Sequence, residues 1–481
     1  MGTTLAPERR SDCTQQEAAT LRSGDRVQIG SKDKVSTPPV GSDAVERHAL
    51  SPSSHLDDLA AYISASPSPF HAAEETSSRL RAAGFTLVDE TRAWPTEAGR
   101  YILQRGGALV AWSTAGPADP RSGFRIVGAH TDSPNLRLRP RPDHQSAGMA
   151  QLGVEIYGGA LLNSWLDRDL GISGRVGVRS QDGSTHEVLF RFDDPLLRVP
   201  QLAIHLDRSI NSDGLRLDPQ RHLQPVWSTS PQSVPTFRAW LSDQLAIQTD
   251  ALLTWDLMTH DLTPPSRLGV DQSLFASARL DNLLSCHAGL VALLESSPDT
   301  PTVPVLCLFD HEEVGSQTST GAASQLLPTI LERISLTSGC TRDEWFASLA
   351  SSVCISADGA HATHPNWPER HEPDHPVLLD GGPVLKWNAD ARYGTDAPGA
   401  AHILSLAERF DIPMQTFVSR NDMPCGSTIG PVTAARLGMT TVDVGVAQLS
   451  MHSAREVTGV VDPFRFTQLL SSFLSRPEAA L

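Results

Sequence analysis

Lysine is almost missing from this chain. Of its 39 Lys and Arg residues only Lys32, Lys34 and Lys386 are lysine, and 55 acidic residues leave a net charge of −16. A chain so acidic, without basic runs, excludes a phosphate-backbone partner, because nucleic-acid binding needs clustered cations. Apolar stretches of about 18 residues are missing too, which excludes an ordinary membrane span. The six cysteines are scattered, with no CxxC pair, and several lie in apolar runs, so buried reduced thiols are expected. There is no Asn-x-Ser/Thr sequon and no secretory apolar region near Met1, and Ala6 breaks the myristoylation pattern. A cytoplasmic location is therefore the expectation, with vacuolar delivery left open. The GxGxxG, GxxxxGK[ST] and GxSxG patterns are absent, which weakens nucleotide-binding and serine-hydrolase readings.

What is there is an ordinary globular composition, 40% hydrophobic and 20% charged, on 481 residues, enough for two domains. Residues 1–52, rich in Ser, Thr, Gly, Pro and charge, read as a disordered extension. Helical spacing begins at "HLDDLAAYISAS" (55–66). "FRIVGAHTD" (124–132), "VPVLCLF" (303–309), "SSVCISAD" (351–358), "IPMQTFVSR" (412–420) and "TTVDVGV" (440–446) read as strands. They alternate with helical patterns at 281–296, 430–438 and 463–474. This predicts the α/β class, a mixed central sheet flanked by helices, over 53–140 and 265–481. Residues 141–264 differ, with strand-like pieces, Pro-containing loops and a hairpin signal at Asp182-Gly183, and read as an inserted β-rich domain.

Functional groups of open α/β sheets gather where strands end. Those ends supply His130, Asp132, Asp281, Glu312, Glu313, Asp358 and His452. Five of them, His130, Asp281, Glu313, Asp358 and His452, form a nitrogen and carboxylate set of the kind zinc accepts. One shared carboxylate and two further ligands per ion would hold two metals about 3.5–4 Å apart. Two cations would also relieve the mutual repulsion of so many carboxylates. Adjacent Glu312 and Glu313 then read as a base plus a ligand. "HEEVG" is not HExxH, so a helical zincin is not implied.

Eight blocks, "GAHTDSPNLRLRP", "LDRDLGISGRV", "ARLDNLLSC", "DHEEVGS", "SADGAHATHPN", "GPVLKWNADARYGTDA", "RNDMPCGSTIGP" and "QLSMHSARE", resemble in order the motifs of the M18 metallo-aminopeptidases, most of all aspartyl aminopeptidase. The resemblance implies a two-zinc α/β peptidase domain carrying an inserted dimerisation domain, built from dimers into a tetrahedral dodecamer. By the same resemblance, His130 and Asp358 hold one zinc, Glu313 and His452 the other, and Asp281 bridges both. It makes Glu312 the general base and acid, and Asp132 the carboxylate that orients a metal-bound His. It also makes His205 a residue that reaches into the neighbouring subunit's site. Co²⁺ or Mn²⁺ are acceptable substitutes for Zn²⁺ in a carboxylate-rich site.

Lys386 stands out from the count. Past residue 52 every other basic residue is Arg, yet a compact ammonium is kept inside the block "GPVLKWN". It is expected to bind the side chain of an N-terminal Asp or Glu in the substrate. The alternatives are a preference for neutral or hydrophobic N-termini, a related two-metal carboxypeptidase or deacylase, or an inactive shell-forming scaffold.

Overall fold

Three of the runs expected as buried strands lie side by side at the middle of one sheet. Strand β1 (Phe124–His130) is buried at every residue and pairs in parallel with β2 (Val303–Phe309) on one side and β3 (Val353–Ala357) on the other. The register sets His130 opposite Phe309, so the C-terminal ends of these strands open onto one edge. Beyond β3 the sheet continues through β4 (Val384–Trp387) and β5 (Thr440–Gly445), with β5 parallel to β3 and β4 antiparallel to β5. The whole sheet has nine strands among the described residues and is mixed, as the sequence predicts. This computed structural model describes residues 51–475. The extension expected over 1–52 lies outside the described residues, apart from Ser51 and Pro52. Those two open the first helix: Ser51 caps Pro52–Ala65 by accepting from the Ser54 N–H, and Pro52 takes the first turn, where its missing N–H costs nothing.

Helices cover both faces, which is why the strands read as continuous apolar runs rather than alternating ones. Helix α1 (Leu280–Glu295), with Pro52–Ala65, Pro69–Ala82 and Asp462–Ser475, buries Leu59, Leu283, Leu290, Leu469 and Phe473 against one face. Leu326–Thr337, Arg342–Ala350 and Ile429–Leu437 bury Ile330, Trp345 and Ile429 against the other. None of the described helices is long and apolar enough to cross a membrane.

A separate six-stranded sheet takes its strands from between Asn135 and Asp261 and has its own core around Leu152, Val176, Phe237 and Leu257. Its hairpin, Leu170–Arg179 with Thr185–Leu197, turns at Asp182-Gly183, where Gly183 has φ +84° and Asp182 accepts from the Ser184 N–H. The first of these strands starts at Asn135, ahead of the boundary at 141 expected from composition. A third sheet of five strands, absent from the sequence reading, includes Ala447–Leu449 and Glu456–Gly459. Strands of two to four residues are too short to carry a readable period. Cys286, Cys307, Cys340 and Cys354 are buried free thiols, Cys425 is half-buried, and Cys13 lies outside the described residues.

Candidate metal centre

The open edge of the central sheet collects the ionisable groups. His130 closes β1, and Asp358 follows β3. Glu312 and Glu313 lie past the end of β2, in a single 3₁₀ turn (Glu312–Val314) that the chain enters through His311 in the left-handed region, φ 65°. The sequence reading placed them where the strand ends; this turn is what sends the two carboxylates apart. Asp281 comes from the start of α1, where Asp281 and Asn282 depart from helical dihedrals before the regular helix begins. His452, also left-handed at φ 67°, sits in the loop between Ala447–Leu449 and Glu456–Gly459.

Distances arrange these groups in two halves around Asp281. One of its oxygens lies 3.4 Å from His130 Nε2 and the other 3.3 Å from His452 Nε2. His130 Nε2 is also 3.5 Å from Asp358 Oδ1, and His452 Nε2 is 3.4 Å from Glu313 Oε2. Both imidazoles are oriented through the other ring nitrogen: His130 Nδ1 donates to the Asp132 carbonyl (3.0 Å) and His452 Nδ1 to the Gly159 carbonyl (3.1 Å). That leaves each Nε2 lone pair for the centre, as in metal-binding histidines. Donor atoms of His130, Asp281 and Glu313 lie within 4.8 Å of one another, close enough to share an ion.

The electrostatics point the same way. Burial, helped by Asp358, Asp132 and Asp281 and opposed by His130, pushes the Glu312 carboxyl up to about 8. Burial and the Asp281 charge lift Glu313 well above the carboxylate range. Burial disfavours charge on the two imidazoles, yet the surrounding carboxylates outweigh it, holding His130 well above its usual value and His452 up at about 10. Asp281 is held low against burial by the two imidazoles that face it, His130 and His452. Protein groups alone therefore leave this cluster retaining protons, and Asp281 Oδ1 and Glu313 Oε1 are buried without a hydrogen-bond partner. Divalent cations would answer both conditions.

A further layer holds the cluster; Asp132 was expected in it, whereas Tyr157 and Glu456 escaped the sequence reading. Asp132 accepts the Glu312 and Glu313 amides, both at 3.1 Å, and the Tyr157 hydroxyl at 2.7 Å. Buried Glu456 accepts the amides of Asp281 (3.0 Å) and His452 (2.7 Å), tying the shared carboxylate to one imidazole. The signal for Glu456 was available, as an acid four residues after His452 and at the head of a strand. Lys386 is 2% exposed, not a surface residue; its ammonium donates to the Gly359 carbonyl (2.9 Å) and Asp358 Oδ2 (3.3 Å). His205 stands apart. It is exposed, between exposed Leu202, Ile204 and Leu206, and no described hydrogen bond or ion pair links it to the cluster.

The profile of the family described as Aminopeptidase I zinc metalloprotease (M18) matches residues 62–474. The chain belongs to the M18 family. It is a zinc-dependent metallo-aminopeptidase, a peptide hydrolase. A probable M18 family aminopeptidase 2 of Streptomyces coelicolor is 53% identical over 426 residues, which are 87% of this chain and 97% of that protein. Among solved structures, one in the Ape4 and Nbr1 complex superposes with a TM-score of 0.84 at 35% identity, covering 88% of this chain and 86% of that one. The Saccharomyces cerevisiae mApe1 dodecamer gives 0.75 at 26% identity, covering 87% and 95%. For an M18 aminopeptidase, the inactive-scaffold alternative falls away, and the donor set at Asp281 suits the family's metal.

Proposed function

We infer that this M18 aminopeptidase binds two zinc ions per chain, His130 and Asp358 holding one, Glu313 and His452 the other, and Asp281 both. The observation that carries this reading is Asp281, whose two oxygens face two differently oriented imidazoles, each beside its own second carboxylate. Bound there, zinc supplies Lewis-acid polarisation of the scissile carbonyl and a water acidic enough to lose a proton near neutral pH. The chain's own groups do the rest. Glu312 takes the water's proton and returns it to the leaving amine, the standard double duty of a single carboxylate. Asp132 keeps the Glu312–Glu313 turn and His130 in place. The carboxylate-rich cluster favours a peptide whose first residue presents a free amine. Chelation should abolish hydrolysis of free-amine peptides, zinc should restore it, and N-acetylated peptides should not be cut in either state. Cleavage of the acetylated peptides would indicate a deacylase or endopeptidase instead.

The preference for an acidic first residue rests on Lys386. An ammonium has three N–H groups; Asp358 and Gly359 take two, and the third binds the side-chain carboxylate of an N-terminal Asp or Glu. Lys386→Met should lower the ratio of kcat/KM for Asp over Leu substrates on the order of 10²-fold. The contact with Asp358 favours a second reading, in which Lys386 only anchors that ligand. In that case zinc affinity falls in Lys386→Met and the Asp-over-Leu ratio stays, leaving neutral N-termini as the alternative substrates.

The six-stranded sheet is the dimerisation domain of this reading, and the assembly is a dodecamer built from dimers; the solved yeast mApe1 structure is itself a dodecamer. His205 then serves the site of a neighbouring copy, donating to the tetrahedral oxyanion. What supports this is its exposure beside Leu202, Ile204 and Leu206, at 57%, 46% and 74% exposed, apolar side chains that a neighbour would cover.

A further inference from the structure

The six-stranded sheet touches the peptidase cluster of its own chain. Its strand Met149–Tyr157 ends against the metal centre, and the residues just after it are glycines for a steric reason. A Cβ on Gly158, which has φ +71°, would stand 3.1 Å from Glu313 Cβ, and one on Gly159 would stand 3.1 Å from His452 Nδ1. Tyr157 is buried beside them, and its hydroxyl makes the shortest contact to the Asp132 carboxylate, 2.7 Å against 3.1 Å for each glutamate amide and 3.5 Å for His130 Nδ1. Asp132 is thus the point where one imidazole and both glutamates are set, and among the described residues Tyr157 is the one hydroxyl donor to it.

The ring that carries this hydroxyl is itself fixed. The Arg137 guanidinium, from the neighbouring strand Asn135–Ser146, lies over it with Cζ 3.7 Å from the ring centroid. Arg137 Nε and Nη2 are buried and, among the described residues, without hydrogen-bond partners. Leaving those donors unbonded is costly, and what the guanidinium gains at this place is the face of Tyr157.

We propose that Tyr157 is a positioning residue of the peptidase site: it locks the Asp132 carboxylate, and through it the Glu312–Glu313 turn, with Arg137 clamping its ring. The proposal rests on the two-zinc reading above. The physical reason is that the terminal torsion of a carboxylate is soft. Without the phenol, Asp132 Oδ2 keeps only the Glu313 amide, and the carboxylate can turn away from the glutamate turn.

Tyr157→Phe keeps the ring and its stacking and removes one oxygen. Zinc affinity, measured by competition with a chromogenic chelator, should fall about 10–100-fold. In zinc-saturated enzyme kcat should fall with KM little changed, and the melting temperature of the zinc-free protein should stay at the wild-type value. Arg137→Met should move zinc affinity in the same direction by less. Wild-type zinc affinity in Tyr157→Phe, with or without a change in melting temperature, would overturn the proposal. Glu313→Gln measured alongside separates the two ideas. If it loses zinc while Tyr157→Phe does not, only the positioning role is lost; if it too keeps zinc, the ligand assignment itself is wrong.

Discussion

Glu312→Gln should bind zinc like the wild type yet lose 10²–10⁴-fold, in order of magnitude, in kcat, whereas Glu313→Gln should lose zinc. The two side chains are neighbours in sequence and their amides are held by the same carboxylate, Asp132. Their environments differ nonetheless. Glu313 is 3% exposed, with Oε2 3.4 Å from His452 Nε2, the distance of a shared ligand position. Glu312 is 16% exposed and no closer than 4.0 Å to His130 Nε2, so it faces the open side, where water and peptide arrive. A glutamine at 312 keeps the shape but has no lone-pair charge with which to take a proton. A glutamine at 313 weakens the donor set itself. Metal analysis and steady-state kinetics on the two variants check this, and equal zinc content in both would defeat the division of labour. Glu312→Asp, which retains the base at a shorter reach, should recover part of the lost turnover.

The second large effect is on stability in acid. Burial, reinforced by His287, holds His55 down at about 3, and burial, with Arg191 adding, does the same to His71. In the unfolded chain each titrates near 6.5. Folded histidines with depressed pKa values contribute stability that is fully present above the unfolded value. As pH falls below about 6.5 the unfolded chain takes up protons that the native state refuses, and stability drops by about 1.4 kcal/mol per pH unit for each histidine, down to the native value. Asp310 and Asp462, pushed up by burial to about 7 and about 6, act in the opposite sense, since their contribution is lost as pH rises. The test is therefore a difference between proteins. His55→Gln and His71→Gln, unfolded with denaturant at a series of pH values from 8 to 4, should each show a shallower decline below about 6.5 than the wild type. Parallel curves would mean that these histidines are not neutral in the folded protein. The same curvature should disappear above neutral pH, where neither state protonates them.

Much of the architecture was legible in the chain. β1, β2, β3 and β5 are mainly apolar, with Arg125 in β1 and Asp443 in β5 as charged exceptions, because helices cover both faces of the sheet, and such runs mark strands without any knowledge of pairing. Asp182-Gly183 marked its hairpin because only a few residue types accept the turn. The ionisable residues where strands end were legible only as a set, since any one of them is as readily a helix cap or a solvated loop group. The short strands of the third sheet were not legible, being shorter than any period.

At the site the division is finer. The residue types and order of the polypeptide determined the α/β class, the Asp182-Gly183 hairpin and the donors a zinc site requires. Only the folded chain decided that Asp281 turns one oxygen to each imidazole, that Glu456 ties Asp281 to His452, that Lys386 is buried against Asp358 and that Tyr157 arrives from another sheet to hold Asp132. The reason is physical. Local pattern reports which face of an element is apolar, a property of neighbours a few residues apart. Which side chains meet depends on strand order, register and left-handed turns at His311 and His452, and these are set by the packing of segments hundreds of residues apart.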